Sequence, residues 1–173
     1  SPTVQVAAAP AEIAIDGVLD EAAWDAAEPV RTFLRFLPAE GGAPPGTTEV
    51  RFLQDDDALY VGIRVRDAGY AIRARISPRE DINSDDQVGL YLDTFHDGRS
   101  GYVFYLNPLG IQQDARANGD DWSFSWDTAL RSAGAVDEDG EGYTVELAIP
   151  WRSVKYRAGD GDQTWGLILT RKI

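Results

Sequence analysis

The sequence predicts an all-β protein: a two-sheet antiparallel β-sandwich of the jelly-roll or immunoglobulin-like type, with one or two short helical turns. Three observations carry this expectation. Residues 87–95 set Val88, Leu90 and Leu92 in alternation with Gly89, Tyr91 and Asp93, and residues 102–107 alternate in the same way; a strand with two unlike faces needs this period of two. Turn-forming clusters then recur along the chain, DDD at 55–57, HDGRSG at 96–101, NPLG at 107–110 and DEDGEG at 137–142, so every apolar run is short. Amphipathic helical spacing is almost absent, which leaves roughly nine or ten short strands to bury their apolar faces against one another, as two packed sheets do.

The chain has 173 residues, 43% of them hydrophobic, enough for one domain, 1–173, with a full core. Residues 1–10 are expected to be a tail or a first edge strand. No apolar run is long enough to span a bilayer as a helix. Cysteine is absent, which excludes disulfides, thiolate metal sites and a cysteine nucleophile. Methionine is absent too, so Ser1 is not a translation start, and the opening SPTVQVAAAP is expected to follow a removed signal peptide or a trimmed end. A net charge of −13 repels phosphate backbones and anionic membrane surfaces, and nucleic acid is excluded as a partner. The same surplus favours cations, Ca²⁺ above all, although its commoner meaning is solubility.

Taken in order, 12–19 reads as a short strand broken by the turn pair Asp16-Gly17. Asp20 reads as the N-cap of a helical turn whose Trp24 plugs one end of the core. Residues 31–37 suit a strand and 38–46, PAEGGAPPG, a loop. Residues 48–54 and 59–67 form a hairpin around three aspartates, more often a solvated tip than a cation site. Residues 70–84 are a helical turn or an irregular rim segment. After the hairpin of 87–95 and 102–107, Pro108 and Gly110 stop the strand. Residues 111–117 continue as a strand, 118–126 as an aromatic loop, and 127–135 as a strand broken at Gly134. A strand at 143–149 follows, then a helical turn at 152–155, a loop at 160–162 and a last strand at 164–172.

The order of IDGVLDEAAWDAA, DDDALYVGIRVRD, SDDQVGLYLDTF, GYTVELAIPWRSV and WGLILTRKI resembles the family 9 carbohydrate-binding modules from residue 13 to 173. More closely, YLDTFHDGRSGYVFYLNPLGIQQDA resembles the family 9-like domain at the amino terminus of bacterial proteins whose remainder is an outer-membrane β-barrel. The resemblance implies a β-sandwich, carbohydrate as partner, structural calcium, and an extracytoplasmic place, in the periplasm or at the cell surface, joined to a carboxy-terminal barrel. Family 9 modules clamp a sugar between two tryptophans. The position of the first falls near Asn83 and the second has no match. The family's acid falls at Gly89 and its arginine at Tyr105, and its asparagine alone carries over, as Asn107.

Sugar recognition needs flat aromatic faces for the C–H side of a pyranose and polar groups for its hydroxyls. Trp122, Phe124 and Trp126 alternate beside Asp120 and Asp121, and a period of two would put all three on one side of an extended segment; the opposing expectation is that they close the sandwich end from inside. Asn107, Tyr105, Trp122 and Trp126 are therefore the carbohydrate candidates. Of Tyr102 and Tyr105, one must face inward, and Trp151 and Trp165 are expected to be structural. Calcium needs six to eight oxygens at about 2.3–2.6 Å, for which Asp85, Asp86 and Asp93 are the candidates. No EF-hand spacing occurs. His96 is the only histidine, so a multi-histidine zinc site is excluded, and neither haem nor a nucleotide is expected. A glycosidase needs two carboxyl groups about 5–9 Å apart, a pair that a chain with 29 acids makes easy to invent. The reading is a non-catalytic, extracytoplasmic carbohydrate-binding-like module. Its alternative is a structural or protein-interaction domain attached to an outer-membrane barrel, with the sugar site lost.

Overall fold

The computed structural model describes residues 3–37, 40–66, 70–157, 159 and 161–173. Of the predicted segments, Ser1, Pro2, Pro38, Ala39, Asp67 and Asp160 lie outside the described residues. In chain order the elements are β1 (Ala7–Ala8), helix α1 (Ala22–Ala26), β2 (Thr47–Gln54), β3 (Ala58–Arg66), β4 (Gln87–Asp93), β5 (Ser100–Leu106), β6 (Gln112–Asn118), β7 (Asp121–Ser123), β8 (Arg131–Val136), β9 (Gly142–Pro150), a 3-10 turn at Trp151–Ser153 and β10 (Gly166–Lys172). They form two five-stranded sheets, ordered β1-β2-β3-β9-β8 and β10-β4-β5-β6-β7. Every pairing is antiparallel except the short β1–β2 contact.

The alternation read in the sequence sets the inner faces. Val50, Phe52, Val61, Ile63, Val145, Leu147 and Ile149 of the first sheet meet Val88, Leu90, Leu92, Tyr102, Phe104 and Leu106 of the second. Each such side chain contributes about 1.5–3 kcal/mol by leaving water. A second apolar layer lies outside the first sheet, where Ile13, Ala23, Trp24 and Ala27 cover Leu53, Tyr60 and Ala148. Trp24 is the predicted plug, seated on the outer layer rather than at the end of the main core. Gly62 makes room for it: a Cβ there would lie 2.6 Å from Leu19 and 3.0 Å from the Trp24 ring.

Several local expectations give way to tertiary partners. Residues 12–19 form no strand, because their backbone donors are met by carboxylates instead of a ladder: the Asp16 and Gly17 N–H groups donate to Glu146 Oε2 at 3.0 and 2.8 Å, and Ala14 N–H donates to Glu21 at 2.8 Å. Glu21, not Asp20, is the N-cap of α1, and it makes no side-chain cap bond; its carboxylate takes the Ala14 N–H and the Trp24 indole N–H instead. Residues 31–37 are not a strand either. Only Val30 bridges to β2, at Val50, and the chain then folds on itself through Gly41 N–H to Arg35 O at 2.8 Å, leaving Leu34, Phe36 and Leu37 exposed.

Residues 70–84 are irregular, the second of the two predicted options. The aromatic loop 118–126 contains β7, and the strand predicted over 127–135 is β8, which starts at Arg131 and runs unbroken through Gly134. Gly134 is needed not as a break but for a close approach, since a Cβ there would sit 2.5 Å from the Pro108 carbonyl. In the β2–β3 turn, Asp55 accepts from the Asp57 and Ala58 N–H groups and from the Tyr60 hydroxyl, so the first of the three aspartates builds the turn.

Candidate functional site

Side chains that point away from the sandwich on the second sheet come from every one of its strands. Across β4, β5 and β6 the register brings Gly89 opposite Tyr105, and Tyr105 opposite Gln113; one pair further along, Tyr91, Val103 and Ala115 share a row. Two glycines shape this face. A Cβ on Gly89 would lie 2.8 Å from the Tyr105 ring and 2.3 Å from the Thr170 hydroxyl, and one on Gly101 would lie 2.6 Å from the Tyr91 ring. Both phenol rings therefore rest on bare backbone, the arrangement in which an aromatic side chain covers a cross-strand glycine. Between them Val103, Ala115 and Ala117 are small and buried. Trp122 stands opposite Ala117 on β7, and ring contacts join Tyr91 to Trp122 at 6.2 Å and Trp122 to Phe124 at 6.3 Å. Burial raises the Tyr105 phenol above its ordinary value, and burial with the Asp93 and Asp97 charges raises Tyr91, so both stay protonated and able to donate at neutral pH.

At the Tyr105 end this face opens into a cleft of about 620 Å³. Tyr105 and Phe124 give it aromatic surface, Asn83, Gln87 and Gln113 give it side-chain amides, Thr170 a hydroxyl and Lys172 positive charge; Arg171 also lines it, with its guanidinium bonded to Thr48 Oγ1 and Pro45 O. The Gln87 amide N–H donates to Ile82 O at 2.6 Å and that of Gln113 to Glu80 O at 3.4 Å, which holds both amides in place. Lys172 donates to the carbonyl of Asn83. Apolar ring faces beside fixed amides can stack a ring and hydrogen-bond its substituents.

The four carbohydrate candidates divide. Tyr105 lines the cleft, and Trp122, 42% exposed, continues the same face. Trp126 does not join them. The turn at Phe124 and Ser125 ends the extended spacing, and Trp126 packs inward on Tyr102 at 5.0 Å and Phe104 at 6.1 Å. Trp126→Ala is accordingly expected to lower unfolding free energy by about 2 kcal/mol through the cavity it leaves, read by urea denaturation, and to spare any binding at the outer face. Asn107 is 0% exposed with its hydrogen-bonding capacity spent inside. Its amide donates to Asp85 Oδ2 at 2.9 Å and Arg75 O at 3.1 Å, and its oxygen accepts from the Leu109 and Ile111 N–H groups at 3.1 and 2.9 Å.

Tyr91, Gln87, Gln113, Thr170 and Lys172 were not singled out in the sequence; the glycines at 89 and 101 within alternating strands were the one available signal, and reading it requires the cross-strand register.

The three aspartates considered for calcium do not fit a cation site. Asp85 accepts from Arg75 Nε at 2.8 Å and Asp86 from Arg73 Nε at 3.0 Å, while Asp93 accepts from the Asp97 and Gly98 N–H groups at 3.1 and 2.7 Å to close the β4–β5 hairpin. Burial pushes the Asp85 carboxyl up, but hydrogen bonds from Asn107 and Arg75 outweigh it and hold it below the ordinary value. Among the described residues no group of three or more His, Cys, Asp or Glu side chains could hold a metal ion.

Two antiparallel-dominated sheets, packed face to face with a cleft on one outer surface, define a β-sandwich module. Residues 15–170 match the carbohydrate family 9 binding domain-like family, and the chain belongs to that family. It is 31% identical over 148 residues to endo-1,4-beta-xylanase A of Thermoanaerobacterium saccharolyticum, a match covering 81% of this chain and only 11% of the xylanase.

Among solved structures it is similar to a family 9 module of Caldicellulosiruptor kristjanssonii in complex with glucose, with TM-score 0.57 and 19% identity over 84% of this chain and 66% of that one. The same module in complex with cellotriose gives TM-score 0.55. A candidate carbohydrate-binding protein of Bacteroides uniformis gives TM-score 0.64 at 14% identity, covering 97% of this chain and 88% of that one. At these identities the structural likeness concerns the fold.

Proposed function

We propose that this chain is a non-catalytic carbohydrate-binding module whose ligand lies in the cleft on the outer face of the β10-β4-β5-β6-β7 sheet. The observation that carries the reading is a cleft with two aromatic rings, Tyr105 and Phe124, bordered by the amides of Asn83, Gln87 and Gln113 with no carboxylate in the lining among the described residues. Such a surface stacks and hydrogen-bonds a pyranose but offers no acid–base pair to cleave one. Of the positions where the family resemblance sets its sugar contacts, 83 and 105 line this cleft and 89 lies beneath Tyr105, while Asn107 is buried away from it; the residue types at 89 and 105 differ, glycine and tyrosine where the family has an acid and an arginine.

The test is a titration of the purified chain against glucose- and xylose-based oligosaccharides, with calcium and with chelator. Tyr105→Ala and Phe124→Ala are each expected to weaken binding about tenfold, since one stacked ring is worth about 1 kcal/mol or more, with the melting temperature little changed for Phe124→Ala and lowered for Tyr105→Ala, which uncovers Gly89. Binding that survives both substitutions would remove the cleft from consideration.

In this reading the domain works outside the cytoplasm as the soluble amino-terminal part of a protein that continues into an outer-membrane barrel. Support comes from the sequence resemblance at residues 91–115, and protease accessibility of the domain on intact cells would test it. A second reading, an interaction domain, is favoured by the exposed Leu34, Phe36 and Leu37, apolar residues that a binding partner could cover. A folded domain silent against a broad glycan panel would favour it over the first.

A further inference from the structure

Resting on the carbohydrate-binding reading above, we propose that the outer face of the second sheet holds about three consecutive sugars of one linear glycan chain, of which the cleft takes only the first. The aromatic surface does not stop at the cleft. Phe124 lines the cleft with Tyr105; its ring lies 6.3 Å from that of Trp122, which lies 6.2 Å from that of Tyr91. The sheet register spreads these rings along the strands. Tyr105 on β5 stands opposite Gln113, and four residues back along β5 Gly101 stands opposite Ala117, which pairs in turn with Trp122. Four residues of strand measure about 13 Å, a separation that takes roughly three linked pyranoses to span. The row between holds Val103 and Ala115, which are small and buried and raise no barrier along the face.

The chemistry of the face fits a sugar chain. Trp122 and Phe124 are 42% and 48% exposed, so each keeps ring surface that the fold does not use. The Tyr91 and Tyr105 hydroxyls and the Trp122 indole N–H meet no hydrogen-bond partner among the described residues. A glycan supplies C–H faces for the rings and hydroxyls for these three polar groups, whereas a purely apolar partner would leave the polar groups unpaired. The inclination of the rings narrows the occupant further. Trp122 is tilted 33° from Phe124 and 43° from Tyr91. The face of a crystalline polysaccharide is planar and cannot lie flat on rings so inclined. A single chain turns at each linkage and meets each ring in its own plane. The occupant is therefore a soluble or amorphous chain, bound along its length.

The experiment is calorimetric titration of the intact chain with glucose, cellobiose, cellotriose and cellohexaose, and with xylose and its oligosaccharides of the same lengths, beside a pull-down on crystalline cellulose. In the series that binds, the trisaccharide is expected to bind at least about tenfold tighter than the monosaccharide, since each further stacked ring is worth about that factor, with little gain from three sugars to six. Crystalline cellulose should retain little of the chain. Trp122→Ala should weaken trisaccharide binding about tenfold and Trp122→Phe should restore most of the loss, with similar melting temperatures showing that both variants fold. A monosaccharide bound as tightly as the trisaccharide, or a Trp122→Ala protein with wild-type trisaccharide affinity, would overturn the inference and leave the carbohydrate-binding reading standing. Retention on crystalline cellulose with weaker binding of the soluble trisaccharides would overturn the single-chain occupant. No binding of any sugar by the folded chain would overturn both readings.

Discussion

Asn107→Ala is expected to lower the unfolding free energy by about 4 kcal/mol, a size reserved for broken buried networks, while the molecules that remain folded keep their ligand affinity. The reason is the position of this amide at the junction of three segments. It holds the Arg75 carbonyl, the Asp85 carboxylate and the turn after β5 together. Removing it deprives Asp85, 0% exposed, of one of the bonds that keep its charge tolerable, and leaves two turn N–H groups without their acceptor. Equilibrium urea unfolding gives the first quantity, and titration of the folded fraction the second. A variant of wild-type stability with lost binding would make Asn107 a ligand contact, the role that the family resemblance suggested.

A comparably large effect depends on pH. Glu146 on β9 is wholly buried beneath the 12–24 segment, with Oε2 accepting two N–H groups and Oε1 without a hydrogen-bond partner among the described residues. Burial pushes its carboxyl up to about 7, although the Gly17 and Asp16 N–H groups pull the other way and Glu21 and Asp16 add repulsion. Between the unfolded value of 4.5 and about 7 the folded chain holds a proton that the unfolded chain releases, so stability falls as pH rises through that window. The loss complete above about pH 7.5 amounts to about 3 kcal/mol. Glu146→Gln keeps a carbonyl for the two N–H groups and carries no charge. It should match or slightly trail the wild type at pH 5 and exceed it at pH 8, with the gap between them opening steadily up to about pH 7 and levelling off above it. Melting temperatures of both proteins across pH 5–8 would show this, and parallel curves would mean that the carboxylate is solvated.

The main core was legible because its signal is local. Val88, Leu90 and Leu92, or Val145, Leu147 and Ile149, declare their inward face by spacing alone, and the turns between strands are written in Asp, Gly and Pro. What escaped depended on partners far along the chain. Residues 12–19 look like a strand until Glu146, about 130 positions away, is seen to take their N–H groups. Trp126 shares a period with Trp122 and Phe124, but the intervening turn sends it to the opposite side of the sheet. The site was half visible: Tyr105 and Trp122 are aromatic residues on predictable elements, whereas Gln113, Thr170 and Lys172 join them only through the register of β6 and β10.

The two tyrosines lying on glycine backbone also govern the thermodynamics of association. A side chain that must be immobilised when a ligand arrives costs about 0.5–1.5 kcal/mol in lost rotamer freedom. Tyr105, seated between the Gly89 backbone and the amides beside it, and Tyr91, seated on Gly101, have surrendered that freedom on folding. The receptor surface is thus rigid before it meets its ligand. Weak stacking is retained almost in full, and free and bound forms should superimpose at these rings. A β-carbon at 89 or 101 would undo this by lifting a ring off the sheet, turning a fixed surface into a mobile one.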